Sequence, residues 1–405
     1  MIQILLNTMK LTYSLLLGLI TISCSSTDNS LIEINPEKFT ENKITLSDIA
    51  DDIDYIPLDN STSIGLIYSY KMTNNSIYVS VKDIGILEFD REGKLVEKIG
   101  KPGRGPGEYY YFMNFDIDPN FKSVYVLDHN TIKVYTSSGH FQRDISLKEY
   151  GECNFDEINF FNEKLLISEI INNGKAKYSW LILDTMGVLI KSKHNPIPFF
   201  YSNLPSAGGT YKFDDNIGCW ELYNDTVYSI LPDLSYKTSF LISPGEYRWP
   251  KSTVKTSYTD SFLSFFVSFL AKHMQILRMF ETKDFLVLVY SYKKKWIALI
   301  NKNSKESFLS EVESFGGILG RKQLGGILND LDGGIMFQPE NYYVENDCEY
   351  MISWINPYQL KMHIAGNEFL KSVPKYPEKK KELEKVAASL KETDNPVLMM
   401  LRLKK

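Results

Sequence analysis

Cysteine is scarce in this chain and never closely paired. Only four occur in 405 residues, Cys24, Cys153, Cys219 and Cys348. Without a C-x-x-C spacing there is neither a zinc-ligand pattern nor a disulfide framework. Cys153, Cys219 and Cys348 are each expected as small buried apolar residues, with one disulfide among them left open. Histidine is equally thin. His129, His140, His194, His273 and His363 are scattered, and neither H-E-x-x-H nor G-x-S-x-G is present, so no local hydrolase or metalloprotease motif is available. A predominance of one charge is also missing. Lys and Arg number 45 against 50 Asp and Glu, a net charge of −5, which argues against nucleic acid as a partner. The apolar run Leu11 to Ile22 falls short of the roughly 20 residues that a spanning helix requires.

What the chain has in quantity is aromatic residues, 26 Tyr and 23 Phe among them, a composition that favours strands. Ser76 to Tyr109, SIYVSVKDIGILEFDREGKLVEKIGKPGRGPGEY, reads as strand, turn, strand, turn, strand and a glycine-rich corner. The plan returns at Ser123 to Leu147, SVYVLDHNTIKVYTSSGHFQRDISL. Ser76 matches Ser123, and Gly93 matches Gly139. A repeat of about 45 residues made of short strands is the signature of a propeller blade. The fold class is therefore all-β, a six-bladed β-propeller.

At the N-terminus, Lys10 precedes the run Leu11 to Ile22 and the sequence Ser23-Cys24-Ser25-Ser26. A basic residue, a short apolar core and a small residue before the cut make a secretory signal. The cysteine makes it a candidate lipoprotein signal, with residues 1–23 removed and Cys24 lipidated as the attachment to a membrane. Acyl chains anchor through about 0.8 kcal/mol per buried methylene, without a spanning segment.

Residues 24–42 are polar and suit a flexible tether, which leaves 43–405 as the propeller. ITLSDIADDIDYIPL is expected to supply two short strands to the closure of the ring. The blades are placed at about Ile64–Ile99, Phe112–Leu147, Cys153–Ser192, Gly209–Ile242, Met274–Ser310 and Gly326–Ile364. Two segments break the pattern. Residues near 258–272 carry small polar residues at helical spacing, predicting a helix packed on the propeller. Residues 377–391 predict a second helix, opened by Pro377 and striped by Leu383, Val386, Ala387 and Leu390, with Lys379-Lys380-Lys381 as a solvated face. The apolar strand Pro396 to Leu403 is expected to pair with the N-terminal strands and close the ring.

Gly103-Arg104-Gly105-Pro106-Gly107 has the look of a phosphate loop, but strand residues follow it where a phosphate cradle needs a helix N-terminus. Gly103, Gly105, Pro106 and Gly107 are instead expected as a structural corner, with Pro106 and Gly107 at the centre of a type II turn. Pro244-Gly245-Glu246-Tyr247 echoes it. Asp330-Leu331-Asp332-Gly333-Gly334 lacks the oxygen ligands of a calcium loop and reads as a β-turn between strands. No residue is singled out as catalytic or metal-binding, and no cofactor is implied.

LSDIADDIDYIPL, EFDREGKLVEKIGKPGRGPGEY, FDIDPNFKSVYVLD, NDLDGGIMFQPE and DNPVLMMLRLK, together with the signal ending at Cys24, resemble the six-bladed β-propeller lipoproteins of Gram-negative outer membranes, relatives of NHL-repeat propellers. The resemblance implies export, anchoring on the periplasmic side or at the cell surface, and no catalytic residues to transfer. The leading expectation is a non-catalytic module that binds a protein, peptide or glycan, with Tyr109–Phe112 and Pro198–Tyr201 as contact loops or, more simply, packing between blades. The alternatives are a hydrolase or lyase with a metal on the central axis, and an accessory subunit of an outer-membrane uptake complex.

Overall fold

The computed structural model describes residues 31–110, 112–118, 120, 123–151, 155–169, 174–199, 208–221, 223–243, 245, 247–248, 272–313 and 325–405. Cys24, Cys153, most of the expected helix near 258–272 and much of the 198–201 loop lie outside them. Residues 33–405 form one compact unit.

Six antiparallel sheets are present. The first five follow the chain: β3 (Ile67–Met72) to β6 (Leu95–Ile99), β7 (Phe112–Asp118) to β10 (Phe141–Ser146), β11 (Glu157–Phe161) to β14 (Leu189–His194), β15 (Gly208–Phe213) to β18 (Tyr236–Ile242), and β19 (Gln275–Glu281) to β22 (Ser307–Glu313). The short strand β1 (Ile32–Ile34) extends the fourth sheet beside β18, with the Ser243 amide donating to the Ile34 carbonyl at 3.1 Å. The chain is a six-bladed β-propeller, and the first strands of successive blades pack on one another around a central channel.

The blades stand face to face, so their middle strands are covered on both sides. Every residue of β4 (Ser76–Val81) is buried, which is why the strand reads as a near-continuous apolar run rather than an alternating one. Apolar clusters fill the gaps between blades. Tyr78, Ile86, Phe115 and Val126 join blades one and two. Leu127, Ile145, Leu165 and Leu183 join two and three. Ile182 and Ile217 join three and four. Each fully buried side chain of this kind is worth about 1.5–3 kcal/mol.

The turn before each outer strand sets the spacing. In blades one to three it carries Gly93 (φ +84°), Gly139 (φ +73°) and Gly187 (φ +96°). A side chain at these positions would strike Pro57, Lys98 and Ile145 of the preceding blade. Glycine is required there by both the left-handed backbone and the close approach. Asp90 and Asp184 hold two of these turns by accepting amide hydrogen bonds from Lys94 and Val188, both at 2.8 Å.

The sixth blade differs from the one read at Gly326–Ile364. Its strands run β2 (Ala50–Pro57), β25 (Val397–Leu403), β24 (Cys348–Ile355) and β23 (Asn341–Glu345). The C-terminal strand thus lies in its middle, paired with the N-terminal β2 as the sequence suggested. Residues 326–340 form turns and an isolated Ile327–Phe337 bridge. Asp330 accepts from the Ser47 amide at 2.8 Å and Asp332 from the Tyr55 hydroxyl at 2.8 Å, so DLDGG pins the ring closure instead of joining two strands. Of the two strands expected in ITLSDIADDIDYIPL, the first is a single helical turn, α1 (Leu46–Ile49), closed by a Thr45–Asp48 capping box.

The tether expected over 24–42 is likewise not free over 33–42. Ile34 is fully buried, and Thr40 donates its amide to the Ser307 hydroxyl and its own hydroxyl to the Ser307 carbonyl on blade five, both at 2.8 Å. After β24 come α2 (Pro357–Ile364), α3 (Asn367–Lys371) and α4 (Pro377–Ser389). The first of these was read as blade. On α4, Leu383 and Ala387 are buried, but the lysine run is not simply solvated. Lys379 pairs with Asp52 at 2.8 Å, and Lys380 donates to the carbonyls of Phe369 at 2.6 Å and Ser372 at 2.9 Å.

Candidate functional site

The central channel widens at both ends. One end opens into a cavity of about 2220 Å³, walled by the C-terminal ends of the first strands and the hairpin turns after them. The other holds about 570 Å³. Tyr70, Lys71, Thr210, Tyr211 and Asn341 line both and so form the waist.

A strand alternates its side chains between faces, and three neighbouring first strands use that period to present polar pairs. These are Asn114 and Asp116 on β7, Glu157 and Asn159 on β11, and Thr210 and Lys212 on β15. They lace the blades together. Asn114 Nδ2 donates to Glu157 at 2.8 Å, Thr210 Oγ1 to Glu157 at 3.2 Å, and Asn159 Nδ2 to Thr210 at 2.7 Å. Asp116 accepts from the Phe160 amide at 2.7 Å and pairs with Lys212 at 2.6 Å. Between blades four and five, Tyr211 donates to Glu281 at 3.0 Å, and Lys302 donates to the same carboxylate at 3.1 Å. The Lys302 ammonium also lies 3.9 Å from the centre of the Phe213 ring. Phe213 packs on Tyr342 with ring centres 5.9 Å apart, and Tyr342 donates to Glu349.

Environment separates the two central carboxylates. Burial opposes ionisation of Asp116, but Lys212 and Lys71 outweigh it and hold the acid below its ordinary range. Burial dominates at Glu157 and pushes it up to about 7, although Lys71, Thr210 and Asn114 favour the ionised form. Glu157 is only partly sheltered from solvent, so channel water moderates the effect of burial without cancelling it.

Among the described residues, none of those expected to form the structural corner or the contact loops lines either cavity. Glu108 donates its amide to the Gly105 carbonyl at 3.0 Å, and Gly107 has φ +70°, placing Gly103, Gly105, Pro106 and Gly107 in a corner between blades one and two. In the proposed contact loop, Tyr109 is fully buried between those blades. Tyr110 is exposed, under the Arg104 guanidinium at 4.1 Å. Among the described residues no histidine lines either cavity, and no three or more His, Cys, Asp and Glu converge closely enough to hold a metal ion. Cys219 and Cys348 are unbridged and half-buried. The channel residues were overlooked because each blade contributes only one or two. The available signal was polar residues at alternate positions of otherwise apolar first strands, as in Asn114-Phe115-Asp116 and Glu157-Ile158-Asn159.

Residues 31–402 match the model of a family described as a domain of unknown function, DUF4934. No curated relative matches the chain. Among solved structures, a Bacteroides fragilis protein assigned as exported is 19% identical, with a TM-score of 0.64 over 93% of this chain and 100% of its own. A DUF4221 member from Bacteroides vulgatus is 12% identical, with a TM-score of 0.48 over 90% and 100%. Virginiamycin B lyase from Staphylococcus aureus is 12% identical, with a TM-score of 0.43 over 74% and 95%.

Proposed function

The chain belongs to the DUF4934 family, and we propose that it is an exported, lipid-anchored propeller that binds a ligand in its central channel without transforming it. The observation that carries this reading is the wide mouth. At about 2220 Å³ it exceeds the roughly 300–1,000 Å³ of a small-molecule pocket and suits an oligomeric ligand. Its wall combines carboxamides (Asn74, Asn75, Asn162, Asn216) with the Phe213–Tyr342 aromatic shelf. That mixture recognises neutral polar chains such as glycans or peptides. Export and anchoring rest on the signal that ends at Cys24.

A second reading, a hydrolase or lyase working from the axis, draws on Glu157, whose pKa of about 7 is that of a competent proton donor and acceptor.

One experiment addresses both. The purified protein is exposed to glycan and peptide arrays, and the bound compounds are identified by native mass spectrometry. Recovery of unaltered ligand, lost in a Thr210→Trp variant that plugs the waist, is the expected result. Recovery of cleaved or eliminated product would favour the enzyme instead. In cells, a fatty-acid label should enter the wild type and not Cys24→Ala; equal labelling of both would remove the anchor from the proposal.

A further inference from the structure

The waist contains hydrogen-bond donors that the protein leaves unanswered. Of the five residues lining both cavities, Tyr70 packs its ring on Trp354 and keeps a buried hydroxyl that meets no hydrogen-bond partner among the described residues. Thr210 and Tyr211 donate to Glu157 and Glu281. The remaining two are Lys71 and Asn341. The Asn341 carboxamide oxygen accepts from the Tyr342 amide at 2.9 Å, while its NH₂ group meets no acceptor among the described residues. Lys71 makes neither a hydrogen bond nor a salt bridge among them, although its charge reaches both Asp116 and Glu157. Asp116 is already satisfied by Lys212 and the Phe160 amide, and Glu157 by Asn114 and Thr210.

A ligand group that answers both donors accepts hydrogen bonds and carries negative charge. It must also be compact, because it shares the waist with side chains from several blades. A single charge is the best match. Lys212 and Asp116 cancel, and Glu157 is protonated below about pH 7, so the local excess is the one ammonium of Lys71, and a dianion would face the Asp116 carboxylate at close range.

We infer that Lys71 and Asn341 form the anchor point for a carboxylate on the ligand, the ammonium supplying charge and the carboxamide a directed N–H. This deepens the proposed binding role and rests on the ligand entering the channel. The shared chemistry is a monoanionic carboxylate at one end of an otherwise neutral polar molecule, and either an acidic sugar or a peptide C-terminus would provide it.

Matched pairs of probes separate those sources and test the anchor. Calorimetry on the full chain compares glucuronic acid with methyl glucoside, and N-acetyl-Ala-Ala with its C-terminal amide. One acid is expected to bind at least about tenfold more tightly than its neutral partner, as a charge-assisted contact in a sheltered site requires. The preference should vanish in Lys71→Met and survive in Lys71→Arg, whose folding controls for nonspecific damage at this strand. The sugar pair responding alone identifies an acidic glycan, and the peptide pair responding alone a chain terminus. Equal binding of acid and neutral partners, or a preference that persists in Lys71→Met, overturns the anchor. If the neutral partners then still bind, and bind only when the waist is unplugged, the channel reading stands without it. Absence of binding by all four probes at about 10 mM also overturns the anchor, because an ionic contact there would be measurable at that concentration.

Discussion

Glu157 is stabilised in two incompatible ways. Asn114 and Thr210 donate to it and Lys71 lies near it, all favouring the ionised form, while burial favours the proton and prevails. The other charged or ionisable groups around it are Asp156, Asp116 paired with Lys212, and Cys219. A folded-state pKa of about 7 against an ordinary 4.5 means that the native protein holds this proton more tightly than the unfolded chain. The resulting stabilisation is complete below about pH 4.5, shrinks as the unfolded chain ionises, and is gone once pH passes about 7. Discounted for channel water, it amounts to about 1–2 kcal/mol. Urea unfolding at pH 5 and pH 8 should show the wild type losing that much more than Glu157→Gln over the interval. Parallel losses would mean that Glu157 titrates as it does in water. The alternation in Glu157-Ile158-Asn159 marks a polar strand face, but nothing in the sequence joins Glu157 to Lys71. They stand 86 positions apart, each beside ordinary strand neighbours, and acquire meaning only when the ring brings β3 and β11 to one axis.

At the level of single elements, the glycine corner explains why one tyrosine matters. Chain reversal at Gly105–Glu108 sends Tyr109 back between blades one and two. There its hydroxyl donates to the Ile99 carbonyl at 2.8 Å and accepts from the Ile86 amide at 3.0 Å. Gly85 and Gly100 leave room for its ring. Tyr109→Phe preserves the packing but removes both bonds, and should cost about 1–3 kcal/mol, read as a lower unfolding midpoint with little change in near-ultraviolet circular dichroism. A change within error would assign Tyr109 to packing alone. Corners and turns of this sort were legible in the sequence, since Gly93, Gly139 and Gly187 mark them at nearly constant spacing and the first three blades follow. Elements lacking such punctuation were misread. The α1 turn is too short to show a helical period. The helix α2 follows β24 directly, where Asn356-Pro357 passes for a strand-ending turn although it caps α2. Lys379 and Lys380 look like solvated charges until β2 and α3 are placed beside them.

For the molecule as a whole, the decisive contacts are those that make a line of blades into a ring. Blade six takes β2 from one end of the domain and β25 from the other, and β25 lies between β2 and β24 rather than at an edge. Six of its seven residues, all but Arg402, are buried. Leu398 and Met400 enter a cluster with Ile77, Val79 and Leu87 of blade one, and the seam is reinforced outside by the Arg91–Glu345 ion pair at 2.8 Å. Removing β25 therefore does more than shorten a sheet. It exposes β24 and β2 as unpaired edges, separates the two ends of the domain, and opens the blade-one core to water. At about 1.5–3 kcal/mol for each large apolar side chain, the loss matches or exceeds the roughly 5–15 kcal/mol that holds a typical domain folded. Deletion of residues 396–405 should abolish the cooperative thermal transition, whereas deletion of Lys405 alone should leave it within about 2 °C. Retention of a sharp transition by the longer deletion would show that the first five blades cohere without closure, and that the inter-blade clusters, rather than the ring, set the stability of the fold.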